Sequence, residues 1–173
     1  PDMKIHIEGG ELQGYFDLTR GMTNEDWMLL REKLLDKSNI VNMKGEHIVH
    51  VMRNDLVQSA LAESNNEMAG VVRVWNKIVQ CEEELMGFED ELEGRFRNIW
   101  NAFSINHSYM YATTYGTYYS DGTLSTVLNY NTLTTTGGAI WGPSHEMGHN
   151  HQASINVVGA TEVSNNLFSN VNT

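Results

Sequence analysis

The sequence has a single cysteine, two prolines and half as many basic as acidic side chains. With Cys81 alone, no disulfide bond can form within the chain. Eleven lysines and arginines against 22 aspartates and glutamates give a formal charge of −11. Because an acidic surface repels phosphate groups, this charge disfavours nucleic acids and anionic membrane surfaces as partners. No apolar run approaches the roughly 20 residues needed to span a bilayer.

What the sequence does contain is typical of a globular chain. Hydrophobic residues make up 40% of it, enough to form the core of one domain, and no repeat or low-complexity tract is visible. The first residues do not resemble a signal peptide, and the chain does not begin with Met. We therefore expect the sequence to be part of a longer protein. The acidic stretches at 82–84 and 89–93 are interpreted as solvated surface.

The spacing of apolar residues predicts an α+β fold. Helical spacing predicts helices over about 24–37, 55–63 and 66–86, and Thr23 with Asp26 forms a capping-box pattern before the first helix. Alternating and β-branched residues predict short strands at 5–7, 15–16 and 47–52.

The second half of the chain has a different pattern, which changes near Phe96. Tyrosine, threonine and Asp-Gly punctuation predict strands and hairpins over 109–119 and 124–133. If alternation continues unbroken, Tyr109, Tyr111 and Tyr115 share one strand face and Tyr118 lies on the other.

Residues 145–149 carry the pattern H-E-x-x-H. Two histidines four apart on an α-helix differ by about 40° of rotation, so His145 and His149 leave the same face and can bind one zinc ion. Glu146, beside the first histidine, can then act as the general base on a water molecule. Pro143 and Ser144 are interpreted as the start of this helix.

A catalytic zinc ion needs a third protein ligand. A third histidine six residues after the second, following a glycine, is absent, since Gln152 and Ile155 occupy those positions. Glu162, at the head of a further predicted helix, completes a His-His-Glu ligand set. His151 lies about 200° around the helix from His149 and is expected to point away from the metal. Asn166 is either a partner of a ligand or a residue without a role in the site.

At these residues the chain resembles the enhancin-like, mucin-degrading zinc metallopeptidases. The resemblance rests on WGPSHEMGHNHQ at 141–152 and TEVSNNLFS at 161–169, and more loosely on 5–10, 75–87 and 109–119. It implies a zincin-like fold with a mixed or antiparallel sheet, an active-site helix carrying the motif and a following helix carrying the third ligand. It also implies one zinc ion held by His145, His149 and Glu162, with Glu146 as the catalytic residue.

The same resemblance implies a function and a location. The expected protein is a secreted or surface-attached bacterial or viral endopeptidase acting on O-glycosylated, mucin-like proteins, with carbohydrate-binding domains elsewhere in the full-length product. Residues 1–173 are then one truncated catalytic domain, with an N-terminal α/β part at 1–94 and a β-rich segment plus active-site helices at 95–173. The alternative is a non-catalytic, zinc-containing fragment that binds glycoprotein or has a structural role.

Two further groups of aromatic residues bear on this hypothesis. A tyrosine from the 109–119 stretch can supply a hydrogen bond to the reaction's oxyanion, or the tyrosines can simply cover the sheet. The five candidates are Tyr109, Tyr111, Tyr115, Tyr118 and Tyr119. Among the tryptophans, only Trp141 adjoins the motif and is expected near a substrate, whereas Trp27, Trp75 and Trp100 are expected in the core.

Overall fold

The computed structural model describes residues 3–6, 8–10, 13–87, 99–152 and 155–172. Its strands are β1 (Gly14–Asp17), β2 (Ile40–Lys44), β3 (Ile48–Arg53), β4 (Trp100–Ile105), β5 (Met110–Thr113) and β6 (Gly116–Ser120). Its helices are α1 (Asn24–Leu34), α2 (Asn54–Ala62), α3 (Met68–Leu85), α4 (Asp121–Val127), α5 (Tyr130–Thr135), α6 (Gly137–His151) and α7 (Thr161–Asn172), with a 3-10 turn at Leu18–Arg20.

The strands form one mixed sheet in the order β1-β2-β3-β4-β6-β5. The pairs β1–β2, β3–β4 and β4–β6 are parallel, whereas β2–β3 and β5–β6 are antiparallel. The mixed sheet and α+β composition expected from the sequence are therefore confirmed. In the described part of the chain, β5 is the outermost strand on the side of the sheet next to α6.

One face of the sheet forms the hydrophobic core with α3. A single row of paired residues crosses five strands on this face, and every member is buried. Its members are Phe16, Met43, His50, Ala102 and Thr117. Trp75 of α3 contacts this face edge-on, with its ring 4.7 Å from that of His50 and 5.2 Å from that of Tyr119. The core thus holds α3 against the centre of the sheet.

The N-terminal elements follow the sequence pattern closely. The capping box is present, since the Thr23 amide donates to Asp26 Oδ2 at 2.9 Å and the Asp26 amide donates to Thr23 Oγ1 at 3.4 Å. The helices predicted over 55–63 and 66–86 are α2 and α3, and the strand predicted at 47–52 is β3. Helix α1 ends at Leu34, before the predicted 37, and β2 was not predicted.

The strands predicted over 124–133 are wrong, because this segment forms α4 and α5. Asn129 begins α5 by accepting hydrogen bonds from two backbone amides. Threonine hydroxyls in the last turn of α5 donate hydrogen bonds to backbone carbonyls one turn earlier. These hydroxyl groups are therefore satisfied within the helix. Leu124, Val127 and Leu128 are all buried, and burial of one helical face here outweighs the β propensity of Thr.

Several predictions fall outside the described residues or are not borne out. Phe96, the 89–93 acidic stretch and the boundary between 94 and 95 lie in the part of the chain that is not described, as does residue 7 of the first predicted strand. Ile5 and His6 are described and are not in a strand, so that prediction is wrong for them. The division of the chain into 1–94 and 95–173 stays a prediction. Among the described residues, no helix is both long and apolar enough to cross a membrane.

Candidate metal centre

The motif helix α6 begins at Gly137, earlier than the start predicted at Pro143 and Ser144. Pro143 lies inside the helix, and Ser144 is fully buried and caps nothing. The early start lets Trp141 and Gly142 form part of the helix wall beside the site. Gly142 lies close to β5, since a Cβ there would lie 2.8 Å from the Met110 sulfur.

The three sequence-predicted ligands come together between α6 and α7. His145 Nε2 lies 2.9 Å and His149 Nε2 lies 3.3 Å from Glu162 Oε2, and the potential ligand atoms of the three residues all lie within 4.8 Å of one another. Bonds of 2.0–2.2 Å in a tetrahedral zinc site separate the ligand atoms by about 3.3 Å. The two distances to Glu162 Oε2 are close to this separation. Two imidazoles and one carboxylate are also a ligand set that zinc uses, so these residues fit the ion in their chemistry.

Within the described residues, no other group of three or more His, Cys, Asp or Glu side chains has this spacing. The cluster does not include His6, His47, His50 or His107.

Both histidines that are predicted to bind the metal have a side-chain amide at their second ring nitrogen. His145 Nδ1 lies 3.2 Å from Asn166 Oδ1, and His149 Nδ1 lies 2.9 Å from Gln152 Oε1. The sequence left two interpretations of Asn166 open, and the structure places its side chain against the predicted ligand His145. The sequence argument missed Gln152, although its position one helical turn after His149 was the available signal.

Glu146 of α6 lines the same cavity as the three predicted ligands and residues 110–112 of β5. Burial raises the pKa of the Glu146 carboxyl above its usual range; His145 opposes this rise and the Glu162 carboxylate adds to it. The side chain is therefore held where it binds a proton more readily than an exposed glutamate.

His151 points away from the ligands, as the helical rotation predicts. Its Nδ1 lies 2.7 Å from Glu82 Oε2 of α3, and both side chains are buried. Burial lowers the pKa of His151 to about 4 and raises the pKa of Glu82 well above its ordinary value, so we assign the neutral form to both partners. The prediction that 82–84 is solvated surface is wrong for Glu82 and Glu83, which are 0% and 5% exposed. Glu82 instead anchors the motif helix to α3.

Two cavities adjoin the cluster on the side of β5. One of about 440 Å³ is lined by the three ligands, Glu146, Thr161 and residues 110–112. A second of about 320 Å³ shares His145 and Glu146 and extends past Trp141 to α4. The ring of Trp141 stacks on His145 at 4.8 Å and is 41% exposed, which agrees with the expected position beside the motif. The larger cavity of about 780 Å³ between α1 and α2 contains none of the site residues.

The tyrosines of residues 109–119 do not lie on the strand faces that the sequence predicts. Tyr111 and Tyr118 are directly paired across β5 and β6 and stack at 4.7 Å, so they share a face and the predicted division is wrong. The reason is that the chain reverses at Tyr115, in the turn between the two strands, which resets the alternation. Tyr119 is buried in the core. Only Tyr109 and Tyr111 of the five candidates line the cavities beside the cluster.

Comparison with known proteins identifies a family and a fold. The model of the family described as peptidase M60, enhancin and enhancin-like matches residues 15–173. No curated protein matches the chain.

Solved structures match most of this chain but only a fraction of their own length. A metallopeptidase in complex with Tn antigen is 32% identical with a TM-score of 0.80, and the match covers 92% of this chain and 29% of that one. A metallopeptidase from Bacteroides thetaiotaomicron is also 32% identical, with a TM-score of 0.77, over 91% of this chain and 26% of that one. The chain therefore spans less than a third of these relatives.

A third match shows the fold alone. It is the M60 catalytic domain with the CBM51-1 and CBM51-2 domains from Clostridium perfringens ZmpB, which is 17% identical with a TM-score of 0.70, over 90% of this chain and 17% of that one.

Proposed function

The chain belongs to the peptidase M60, enhancin and enhancin-like family, and from this we propose that it carries the metal centre of a zinc-dependent endopeptidase. The observation that carries the proposal is the convergence of two histidine Nε2 atoms on a glutamate oxygen beside an open cavity that Glu146 also lines. In this proposal His145, His149 and Glu162 hold one zinc ion. When bound, the ion acts as a Lewis acid on the peptide carbonyl and the attacking water.

Glu146 is proposed as the general base and acid. Its carboxylate takes a proton from the attacking water and later delivers that proton to the nitrogen of the leaving amine. Burial supports this role, because the raised pKa of Glu146 brings its proton affinity closer to that of its reaction partners at neutral pH. Tyr109 or Tyr111 is the proposed hydrogen-bond donor to the oxyanion, since both line the cavities.

The edge strand β5 is proposed to bind the substrate main chain. Its residues 110–112 line the cavity that contains the ligands, and in the described sheet β5 has a neighbour on one side only. An extended peptide can therefore pair with the free edge and pass beside Glu146. The acidic chain charge makes a phosphate-rich substrate an unfavourable alternative.

We propose an O-glycosylated protein as the substrate and an extracellular or cell-surface location. Support comes from the resemblance of the motif region to mucin-degrading members and from the Tn antigen bound by a relative that is 32% identical. Carbohydrate-binding domains elsewhere in the full-length protein are proposed on the same grounds, since a structure with the same fold includes two.

Substitution of Glu146 by Gln tests the activity. Cleavage of an O-glycoprotein by the zinc-loaded protein is expected to fall by about 10²- to 10⁴-fold, because the amide cannot accept the proton. Zinc content should stay at one ion per chain. Glu32→Gln is the matched control, since Glu32 is exposed on α1 away from the site, and it should leave cleavage unchanged.

The second candidate is a zinc-containing fragment without catalytic activity. It is favoured by the observation that the chain spans only 26–29% of its relatives, so part of a substrate cleft can lie elsewhere. Stoichiometric zinc with no difference between wild type and Glu146→Gln supports this candidate and contradicts the enzyme. Absence of bound zinc contradicts both.

A further inference from the structure

The side-chain amides at the ligand histidines join α6 and α7 around the site. Asn166, on α7 one turn after Glu162, meets His145 Nδ1 of α6 at 3.2 Å. Gln152 follows the last turn of α6, accepts from His149 at 2.9 Å and donates through Nε2 to the Thr161 carbonyl at 3.3 Å. Thr161 immediately precedes Glu162. Gln152 therefore links the second histidine to the backbone that carries the third ligand.

These contacts favour the tautomer of both rings that carries its proton on Nδ1. An amide oxygen can only accept a hydrogen bond, so Nδ1 is the proton-bearing atom wherever it faces Asn166 Oδ1 or Gln152 Oε1. The Gln152 amide is fixed in this sense, because its Nε2 donates to the Thr161 carbonyl. The Nε2 atom of each ring then keeps its lone pair, and both Nε2 atoms face Glu162 Oε2. Gln152 is 3% exposed and is bound at both ends of its amide, so it holds the ring of His149 in one orientation.

The chemical type of these partners is informative. Histidines that bind metals commonly donate their second N–H to a carboxylate, a backbone carbonyl or water, and a carboxylate raises the basicity of the ring. This chain places a neutral amide at both histidines. Glu162 is then the one anionic group among the three ligands and the two amide partners.

We propose that Asn166 and Gln152 are positioning residues that orient His145 and His149 for the metal, and that their neutral amides keep the bound ion a strong Lewis acid. The inference rests on the proposed metal centre. A carboxylate in place of either amide would give its histidine more electron density. The ion would be held more tightly, but it would polarise a carbonyl less.

Zinc affinity, measured by competition with a chromophoric chelator, tests the proposal independently of catalysis. Asn166→Leu and Gln152→Leu should each weaken zinc binding by about 10- to 100-fold, because the ring loses its acceptor. Gln152→Glu, which keeps the acceptor, should bind more tightly than Gln152→Leu. Asn166→Asp should bind zinc more tightly than wild type and cleave substrate more slowly. A residue that only stabilised the fold would not give these opposite effects.

The matched control is Asn150→Leu. Asn150 is an amide on the same helix beside His149, but its Nδ2 donates to the Glu146 carbonyl and it contacts no ring nitrogen. Its substitution should leave zinc affinity unchanged. Urea unfolding of the metal-free variants separates loss of folding from loss of affinity. If Gln152→Leu does not fold, the test relies on Asn166→Leu and Asn166→Asp, because Asn166 is only half-buried and its substitution disturbs the fold less.

Two results overturn the inference in different ways. The first result is that wild type binds zinc and the Asn166 variants bind it as tightly as Asn150→Leu does. The amides then do not position the ligands, whereas the proposed metal centre stands. If wild type binds no zinc, the metal centre and the inference are both wrong.

Discussion

Burial lowers the pKa of two histidines in this protein, His50 and His151, and His50 is the one that lies on the core-facing side of the sheet. The ring is fully buried, lies edge-on to Trp75 and has its Nδ1 3.4 Å from the Met43 carbonyl. Burial lowers the pKa of His50 to about 4, and the hydrogen bond to Met43 opposes that shift only in part. The folded protein therefore keeps this ring neutral at pH values where an unfolded chain protonates it.

This difference predicts a pH-dependent stability. Between the unfolded pKa near 6.5 and the folded pKa of about 4, the unfolded state binds more protons, so the free energy of unfolding falls as pH falls. From pH 7 to pH 4.5 the contribution of His50 is about 2–3 kcal/mol. His50→Phe keeps an aromatic ring against Trp75 but cannot be protonated there. Between pH 7 and pH 4.5, its free energy of unfolding in urea titrations should therefore fall by about 2–3 kcal/mol less than that of wild type. Equal losses in the two proteins would show that His50 does not titrate as proposed.

At the scale of elements, α6 packs closely on its neighbours because it is rich in glycine. Gly142 allows the contact with Met110 of β5, and Gly148 allows the contact with α7. A Cβ on Gly148 would lie 2.5 Å from Asn165 Oδ1 and 2.8 Å from Phe168 Cβ. Phe168 Cβ is fixed to the α7 backbone, so the two helices would have to separate.

Gly148→Ala should therefore destabilise the protein, although alanine is the better helix former. Overpacking of this kind costs about 1–3 kcal/mol, which equals or exceeds the roughly 1 kcal/mol gained from the higher helix propensity of alanine. Gly138→Ala, on the same helix, is the matched control, because its Cβ would meet nothing within 4 Å. Thermal unfolding of the metal-free proteins should show a lower midpoint for Gly148→Ala and an unchanged or higher one for Gly138→Ala. The reverse order would contradict the close α6–α7 contact.

The errors of prediction also belong to this scale. The Thr- and Leu-rich segment of α4 and α5 has high β propensity, yet its apolar residues at helical spacing are buried against α3 and α6. The β propensity of a residue depends on its own side chain, whereas its burial depends on which elements pack against it in the folded protein. The start of α6 was predicted too late for a similar reason. Pro143 is typical of a first helical turn, but residues 137–142 were already helical in the packed structure.

At the scale of the whole molecule, the proposed metal centre would join two helices, α6 and α7, that each make packing contacts of their own. Helix α6 is anchored to α3 through the buried His151–Glu82 hydrogen bond, and α7 packs against α6 through Gly148. The proposed ligands come from both α6 and α7. A bound ion would therefore cross-link these two helices and would be absent from the unfolded chain.

Zinc should accordingly raise the melting temperature. At free zinc 100 times the dissociation constant, binding to the folded state alone adds about 2.7 kcal/mol. For a chain of this size that corresponds to a rise of about 5–11 °C. Differential scanning fluorimetry with and without a chelator measures the shift. His149→Ala, which removes one ligand, should largely abolish it, and an undiminished shift in that variant would contradict the site.

The sequence alone determined the features that depend on neighbours along the chain. Four-residue spacing puts His145 and His149 on one helical face, the intervening residues put Glu146 beside them, and the same rotation turns His151 away, because a helix fixes these angles locally. The tertiary structure decided everything that depends on distance between elements. It placed Glu162 and Asn166 against His145, buried Glu82 under α6 and brought β5 beside the motif, because these contacts join residues 17 to 69 positions apart and follow from packing.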